Sequence, residues 1–255
     1  MPRYTGHVNL SFSTGQIDDL RAGREQVFVD EMAAHLSALA PRHAQAMGPD
    51  AMRAFVRAAI DRSSAFGVLE RDTTRVWLEL SMLWGIGFAD DPTYAFVRRW
   101  LDDPVLPELQ RIRMLHRAAT AYCRAACGSD GAAFKAAVSR FAAARPAADL
   151  VIDPYGLGQL LARVWPERAE QVGGQALSAL AFGSISVAQA LGADDGGVGR
   201  AAAAGLVFML GADCLHDPQY QWFFTHLPAD GTRIERGRAL LNRAQAYARM
   251  AATHA

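Results

Sequence analysis

The sequence predicts an all-α helical bundle of about ten to twelve helices, formed by tandem duplication of a five-helix unit. Three observations carry that expectation. Alanine dominates the 255 residues, and arginine supplies the basic positions almost alone, with Lys135 the sole lysine. Both Ala and Arg are strong helix formers. Runs of alternating β-branched residues, the mark of strands, are absent. Apolar residues instead recur at helical spacing in segment after segment, separated by Gly and Pro.

Residues 1–14 read as an irregular arm. Ser13 or Thr14 suits the N-cap of a first helix reaching Leu39, with Ile17, Leu20, Val27, Phe28, Met32 and Leu36 on one face. Pro41 interrupts it. A second helix covers 49–66, with Met52, Phe55, Val56, Ala59 and Ile60 inward, and Gly67 fits its C-cap. A third spans 71–86. A short fourth starts at Asp91-Pro92 and reaches Leu101. A fifth runs from Pro107 to Cys127 and a sixth from Asp130 to Ala144. After Pro146 the pattern restarts, with helices expected at 155–165, 167–192, 197–212, 218–227 and 233–253. Short connections make neighbours antiparallel.

The restart carries an internal repeat. Residues 36–67 lie over 161–192 at a constant offset: Leu36 meets Leu161, Pro41 meets Pro166, Gly48 meets Gly173 and Gly67 meets Gly192. After one inserted residue, 78–101 lie over 204–227. Gly85 meets Gly211, and Asp91-Pro92-x-Tyr94 meets Asp217-Pro218-x-Tyr220. Matched Ala is cheap in such a chain; matched Pro, Gly and Asp-Pro-x-Tyr in one order are not. Two units follow, 1–145 and 146–255, packed as one globular body about a pseudo-twofold axis.

The copies differ in charge. Arg53, Arg57 and Asp61 form a stripe on one helix that reads as a solvated face. Their counterparts are Ser178, Phe182 and Ser186, and no charge occurs from Gln171 to Ala193. The first reading is a central helix buried on every side. A docking face for a partner or a second copy is the alternative. A membrane span is disfavoured by Gln175, Ser178, Ser184, Ser186 and Gln189.

Few residues suggest chemistry. Asp91 and Asp217 precede Pro, so each reads as a helix N-cap, with Tyr94 and Tyr220 packing one turn on. Glu31 and His35 share a helix face, and His216-Asp217 is adjacent, so these four are the candidate ligands of a metal enzyme. No second Glu-x-x-x-His, and no Glu-x-x-His, supports that reading, and no metal or catalytic residue is assigned. Cys123 and Cys127 read as small buried hydrophobes. The Gly-rich stretch 192–200 follows a helix rather than a strand, so it reads as a turn and not a phosphate loop. No Gly-x-Ser-x-Gly elbow is present.

Composition excludes several classes. Apolar residues make up 51% of the chain, too many for a disordered one. Lys plus Arg equals Asp plus Glu at 26 each, which gives no reason to expect nucleic acid or an anionic membrane. Three cysteines cannot form a disulfide framework, and the N-terminus has no apolar leader, so a cytoplasmic protein is expected; with no cofactor or metal signature, no cofactor is expected.

Residues 28–92 carry a resemblance. Phe28, Met32, His35, Leu36, Pro41, Phe66, Gly67, Gly85, Phe88, Asp91 and Pro92 resemble the pattern of small helical bacterial proteins encoded beside type VI secretion spike and toxin genes. The second half repeats part of this pattern but has Gly196-Gly197 near the place of Arg71-Asp72. The resemblance implies a setting rather than a mechanism.

Repeated helical units usually bind other macromolecules. The expectation is a non-enzymatic interaction protein, an adaptor, chaperone or immunity factor of a secretion or toxin cluster. Phe182, Phe208, Tyr220, Trp222 and Phe223 are its candidate anchors for a protein partner, and a homodimer is possible. The alternatives are a helical metal-dependent enzyme, or a small-molecule or lipid binder with its site between the two repeats.

Overall fold

Ser13 starts the first helix, as its type suggests. Its hydroxyl accepts from Gln16 N–H, and the Gln16 side chain returns the bond to Ser13 N–H. That reciprocal box satisfies two backbone donors that a helix end leaves free. The computed structural model describes residues 13–146, 152–228 and 230–252. The arm expected before Ser13 lies outside the described residues. Among the described residues there are thirteen α-helices, two 3-10 turns and no strand. The all-α bundle is the observed fold.

The first half holds α1 (Thr14–Leu39), α2 (Pro41–Met47), α3 (Pro49–Ala65), α4 (Arg71–Trp84), α5 (Phe96–Leu101), α6 (Glu108–Cys127) and α7 (Ala132–Ala143). A 3-10 turn, Pro92–Tyr94, precedes α5. The second holds α8 (Pro154–Val164), α9 (Pro166–Val172), α10 (Gly174–Ala190), α11 (Val198–Leu210), α12 (Gln221–Phe224) and α13 (Arg233–Ala252). The turn Pro218–Tyr220 precedes α12.

Two boundaries differ from expectation for one reason. Pro41 and Pro166 each open a short helix rather than only ending the previous one, because Pro is preorganised for a first helical position. Gly48 (φ +84°) and Gly173 (φ +78°) then break the chain before α3 and α10. The expected single helix 167–192 is therefore two. The matched elements α3 and α10 are both 17 residues long.

Two burial expectations also fail. The helical period places Ile17, Leu20 and Val27 on the inner face of α1, but they are exposed, and only the later turns of that face, with Val29, Met32 and Leu36, are buried. Nor is α10 buried all round. Leu177, Leu180, Ala181, Ser184 and Ala188 face the core, while Ser178, Phe182, Ser186 and Gln189 face solvent. The helix buried on nearly every side is α11, whose Ala201–Ala204 run lets neighbours close in. A Cβ on Gly199 would stand 1.7 Å from the Ala193 carbonyl oxygen, and one on Gly205 would stand 2.1 Å from the Phe141 ring.

The charge asymmetry goes with a difference in helix length. On α3, Arg53 bonds Asp30 at 2.8 Å and Arg57 bonds Gln26 at 2.8 Å, both on the long α1. The stripe read as a solvated face is thus tied to another helix. In the second half α8 has 11 residues against 26 in α1. Among the described residues it makes no such bond to the corresponding face of α10.

The halves meet backbone to backbone. Gly85 (φ +90°) and Gly211 (φ +101°) end α4 and α11, and a Cβ on either would fall 2.7 Å and 2.5 Å from the carbonyl oxygens of Leu210 and Trp84. Only glycine meets both the conformation and the contact. Asp91 caps its own turn through Thr93 N–H at 2.8 Å, and its second oxygen accepts from Ala212 N–H at 2.8 Å. Asp217 caps its turn through Gln219 N–H at 2.9 Å and accepts from Ile86 N–H at 2.8 Å. Each capping carboxylate therefore also holds a backbone donor of the opposite half. Among the described residues no helix is long and apolar enough to cross a membrane.

Candidate functional site

The two Asp-Pro-x-Tyr turns put Tyr94 and Tyr220 into one cavity of about 480 Å³. Its walls come from both halves: Met82, Leu83 and Trp84 of α4 with Met209 and Leu210 of α11, and Tyr122, Cys123, Ala126 and Cys127 of α6 with Tyr247 and Ala248 of α13. Most of these side chains are apolar or aromatic. Leu83 is exposed, and Met82, Tyr122, Cys123, Met209 and Tyr247 are half-buried, so the cavity reaches the surface. Volume and lining suit a small apolar ligand.

Arg168 of α9 closes one corner. It is 2% exposed. Its Nε donates to the Tyr122 hydroxyl at 3.2 Å, and Nη2 donates to Tyr94 at 2.8 Å and to Thr93 Oγ1 at 3.2 Å. Nη1 donates to the Phe208 carbonyl. That carbonyl has no onward helical partner, since Ala212 N–H turns to Asp91. The guanidinium also lies over the rings of Phe208, Tyr94 and Trp165, at 4.7, 5.2 and 5.2 Å. Such contacts stabilise a cation by on the order of 1–2 kcal/mol each when desolvated.

No carboxylate completes this arrangement. Among the described residues no acid lies within salt-bridge distance of Arg168. Asp91 is reached only through Thr93, whose hydroxyl donates to Asp91 at 2.6 Å. Glu167 keeps a buried oxygen without a partner. Arginine stays charged at any working pH. Burial pushes the Tyr94 and Tyr122 hydroxyls up, so both stay protonated at neutral pH.

His43 of α2 occupies the matching corner, 125 residues earlier. Its ring stands 5.7 Å from Tyr220, as Arg168 stands against Tyr94. Burial holds its pKa below the usual histidine value, and the nearby Gln219 side chain opposes that only in part. His43 Nε2 and Gln219 Oε1 are both buried without a well-formed hydrogen bond. Burial also pushes Tyr220 well up and Tyr247 to about 12. Asp217 is pushed up to about 6 by burial, held back by the Ile86 and Gln219 donors. This corner holds no cation at neutral pH, and its Asp217 carboxyl is mostly ionised there.

The sequence-predicted anchors do not gather on one surface. Phe208 and Phe223 are buried core residues, with no face to offer a partner. Tyr220 is 5% exposed and lines the cavity. Trp222 is half-buried and donates to the Gln219 carbonyl at 2.8 Å. Phe182 alone is exposed, at 68%. Their aromatic content is a packing signal, and aromatic type alone does not separate core from surface.

The candidate metal ligands are scattered too. Glu31 pairs with Arg71, His35 with Glu79 at 2.7 Å, and His216 with Asp213 at 2.9 Å, while Asp217 is a cap. No cluster of three or more His, Cys, Asp or Glu gathers among the described residues. Cys123 and Cys127 line the cavity, and burial pushes the Cys123 thiol up to about 11, which leaves a weak nucleophile. In the Gly-rich turn Asp195 accepts from Gly197 and Gly199 N–H, both at 2.9 Å, so those donors are not free for a phosphate.

Sequence reasoning missed Arg168, His43 and Tyr122. A signal existed: laying residues 36–67 over 161–192 sets Arg168 against His43, two basic residues flanked by matched Pro and Gly. What they face depends on the opposite half, which no local pattern shows. Comparison with protein-family models, with curated proteins and with solved structures yields no match for this chain.

Proposed function

We propose that this chain is a non-enzymatic binding protein that holds a small, largely apolar molecule in the cavity between two duplicated halves. One observation carries the reading. A cavity of about 480 Å³ is walled mainly by apolar and aromatic side chains, with its few polar groups confined to two corners. Ligand sites are built this way: apolar walls supply affinity and a few placed polar groups fix orientation. The like geometry of the Gly85 and Gly211 junctions and of the two Asp caps supports the duplicated origin.

The test is occupancy by a neutral apolar fluorophore. N-phenyl-1-naphthylamine should brighten on binding with one-to-one saturation. Cys127→Trp and Met209→Trp, which fill the cavity, should abolish that signal while circular dichroism stays helical. Equal brightening in the filled variants places the dye elsewhere and removes the reading.

A second reading rests on Phe182. It stands exposed on an uncharged face of α10 beside Ser178, Gly183 and Ser186. This suits a protein partner, the setting that the secretion-cluster resemblance implies. Phe182→Glu should then abolish capture of that partner without unfolding the chain.

A further inference from the structure

We infer that the cavity's ligand carries an anionic oxygen group, a carboxylate on an apolar body, and that this group docks against Arg168, Tyr94 and Tyr122. The inference rests on the small-molecule reading above and names the chemical class. It starts from the imbalance at the Arg168 corner. A fully buried cation borders an apolar cavity, and its oxygen partners are two phenols, a threonine and a carbonyl. Buried charges in proteins are ordinarily paired, because an unpaired one is costly. Here Asp91 offers only relayed compensation through Thr93.

The donor arithmetic fixes the kind of group. Arg168 has five N–H donors, and its bonds to Tyr122, Phe208, Thr93 and Tyr94 engage four of them. It is therefore not free for a two-pronged clamp. The phenols carry the recognition instead. Each phenol oxygen accepts from the guanidinium, so its own proton remains to be donated, and neither hydroxyl donates to an acceptor among the described residues. A phenol that accepts from a cation is a stronger donor toward an anion. Two polarised O–H groups backed by one buried positive charge suit a single carboxylate, and the low-dielectric walls strengthen that attraction.

The other corner sets the polarity of the pocket. His43 and Tyr220 are neutral at pH 7, so the cation stands at one end only. The ligand's anionic end is thereby assigned to the α9 side, with its body along Trp84 and Met209. The cysteines take no part, since both thiols are held neutral by burial.

Decanoate and decan-1-ol test this as a matched pair, each displacing N-phenyl-1-naphthylamine at pH 7.5. Decanoate should bind at least tenfold more tightly than the alcohol. Arg168→Met should erase that preference, and Tyr94→Phe and Tyr122→Phe should each reduce it by several-fold. The phenylalanine variants keep the packing, so they decide the matter if Arg168→Met does not fold. Equal affinity for acid and alcohol overturns the inference and leaves the binding reading standing. A preference that survives Arg168→Met, or that both phenylalanine variants retain in full, overturns the assignment to this corner. Failure of both probes and the dye to bind overturns the binding reading itself.

Discussion

Arg168 and His43 occupy equivalent places on opposite halves, yet they make different corners. Arg168 leans on Tyr94 and reaches Asp91 through Thr93; His43 leans on Tyr220, near Gln219 and Asp217. Each corner holds a capping carboxylate, a turn tyrosine and a basic side chain from the other half's short helix. The backbone parts of the two are nearly the same. What differs is the charge that the basic position carries at neutral pH. One frame thus gives a cavity one end with a buried cation and one end without, and the burial cost of a cation arises at only one of them.

Breaking the shared frame should have the largest effect. Gly85→Ala and Gly211→Ala force a Cβ into a carbonyl of the other half at a positive φ. Each should cost on the order of 3 kcal/mol or more in urea unfolding. Gly48→Ala and Gly173→Ala share the positive φ but meet nothing within 4 Å. They should cost about 1 kcal/mol. Equal losses at all four positions would mean that the junction between halves carries no special weight.

The capping carboxylates sharpen the comparison. Asp91→Ala should cost about 3 kcal/mol and Asp217→Ala about 2, because only Asp91 also screens a buried cation. In an Arg168→Met background the two should become equal. A gap that persists there would show that Asp91 does not serve Arg168.

Acidity separates the corners next. The Asp217 carboxyl ionises near 3.8 when unfolded and near 6 when folded. Between those values the folded state holds more protons, so this residue's contribution falls as pH rises through the window and is fully lost above it. The span is on the order of 2–3 kcal/mol. His43 acts in the opposite sense. Its folded pKa lies below 6.5, so its contribution is lost as pH falls below 6.5 and the unfolded chain takes the proton first. Unfolding free energies measured from pH 4 to 7 should therefore show a steeper rise with pH in Asp217→Asn than in the parent. Parallel curves would contradict the buried-carboxylate account.

The smallest effect belongs to α10. Phe182→Glu should change stability by less than about 0.5 kcal/mol, since the side chain is 68% exposed. A loss above 2 kcal/mol would show that this face is covered in solution.

Much of the architecture was legible in the sequence. Helical period, Pro and Gly placed most elements, and the Asp-Pro-x-Tyr turns were read as caps, which they are. The errors lie where long-range contacts decide. Gly173 lies at the start of an uncharged stretch and inside a segment that reads as one helix, and α10 reads as buried because it lacks charges. The short α8 offers that face no polar partner among the described residues. The site was legible only in outline. A cavity between the halves was among the alternatives, but the anchors were chosen by aromatic type, and four of the five are buried or half-buried. Arg168 offered no local cue, because its environment comes from residues on three other elements.

The most direct test of the cationic corner is the ionisation of a bound ligand. The carbon shift of [1-13C]decanoate, followed against pH in the complex, reports whether its carboxyl faces a positive charge. The account predicts a bound pKa below that of the free acid, returning toward or above it in Arg168→Met. A bound pKa at or above the free value in the unmodified protein would contradict it.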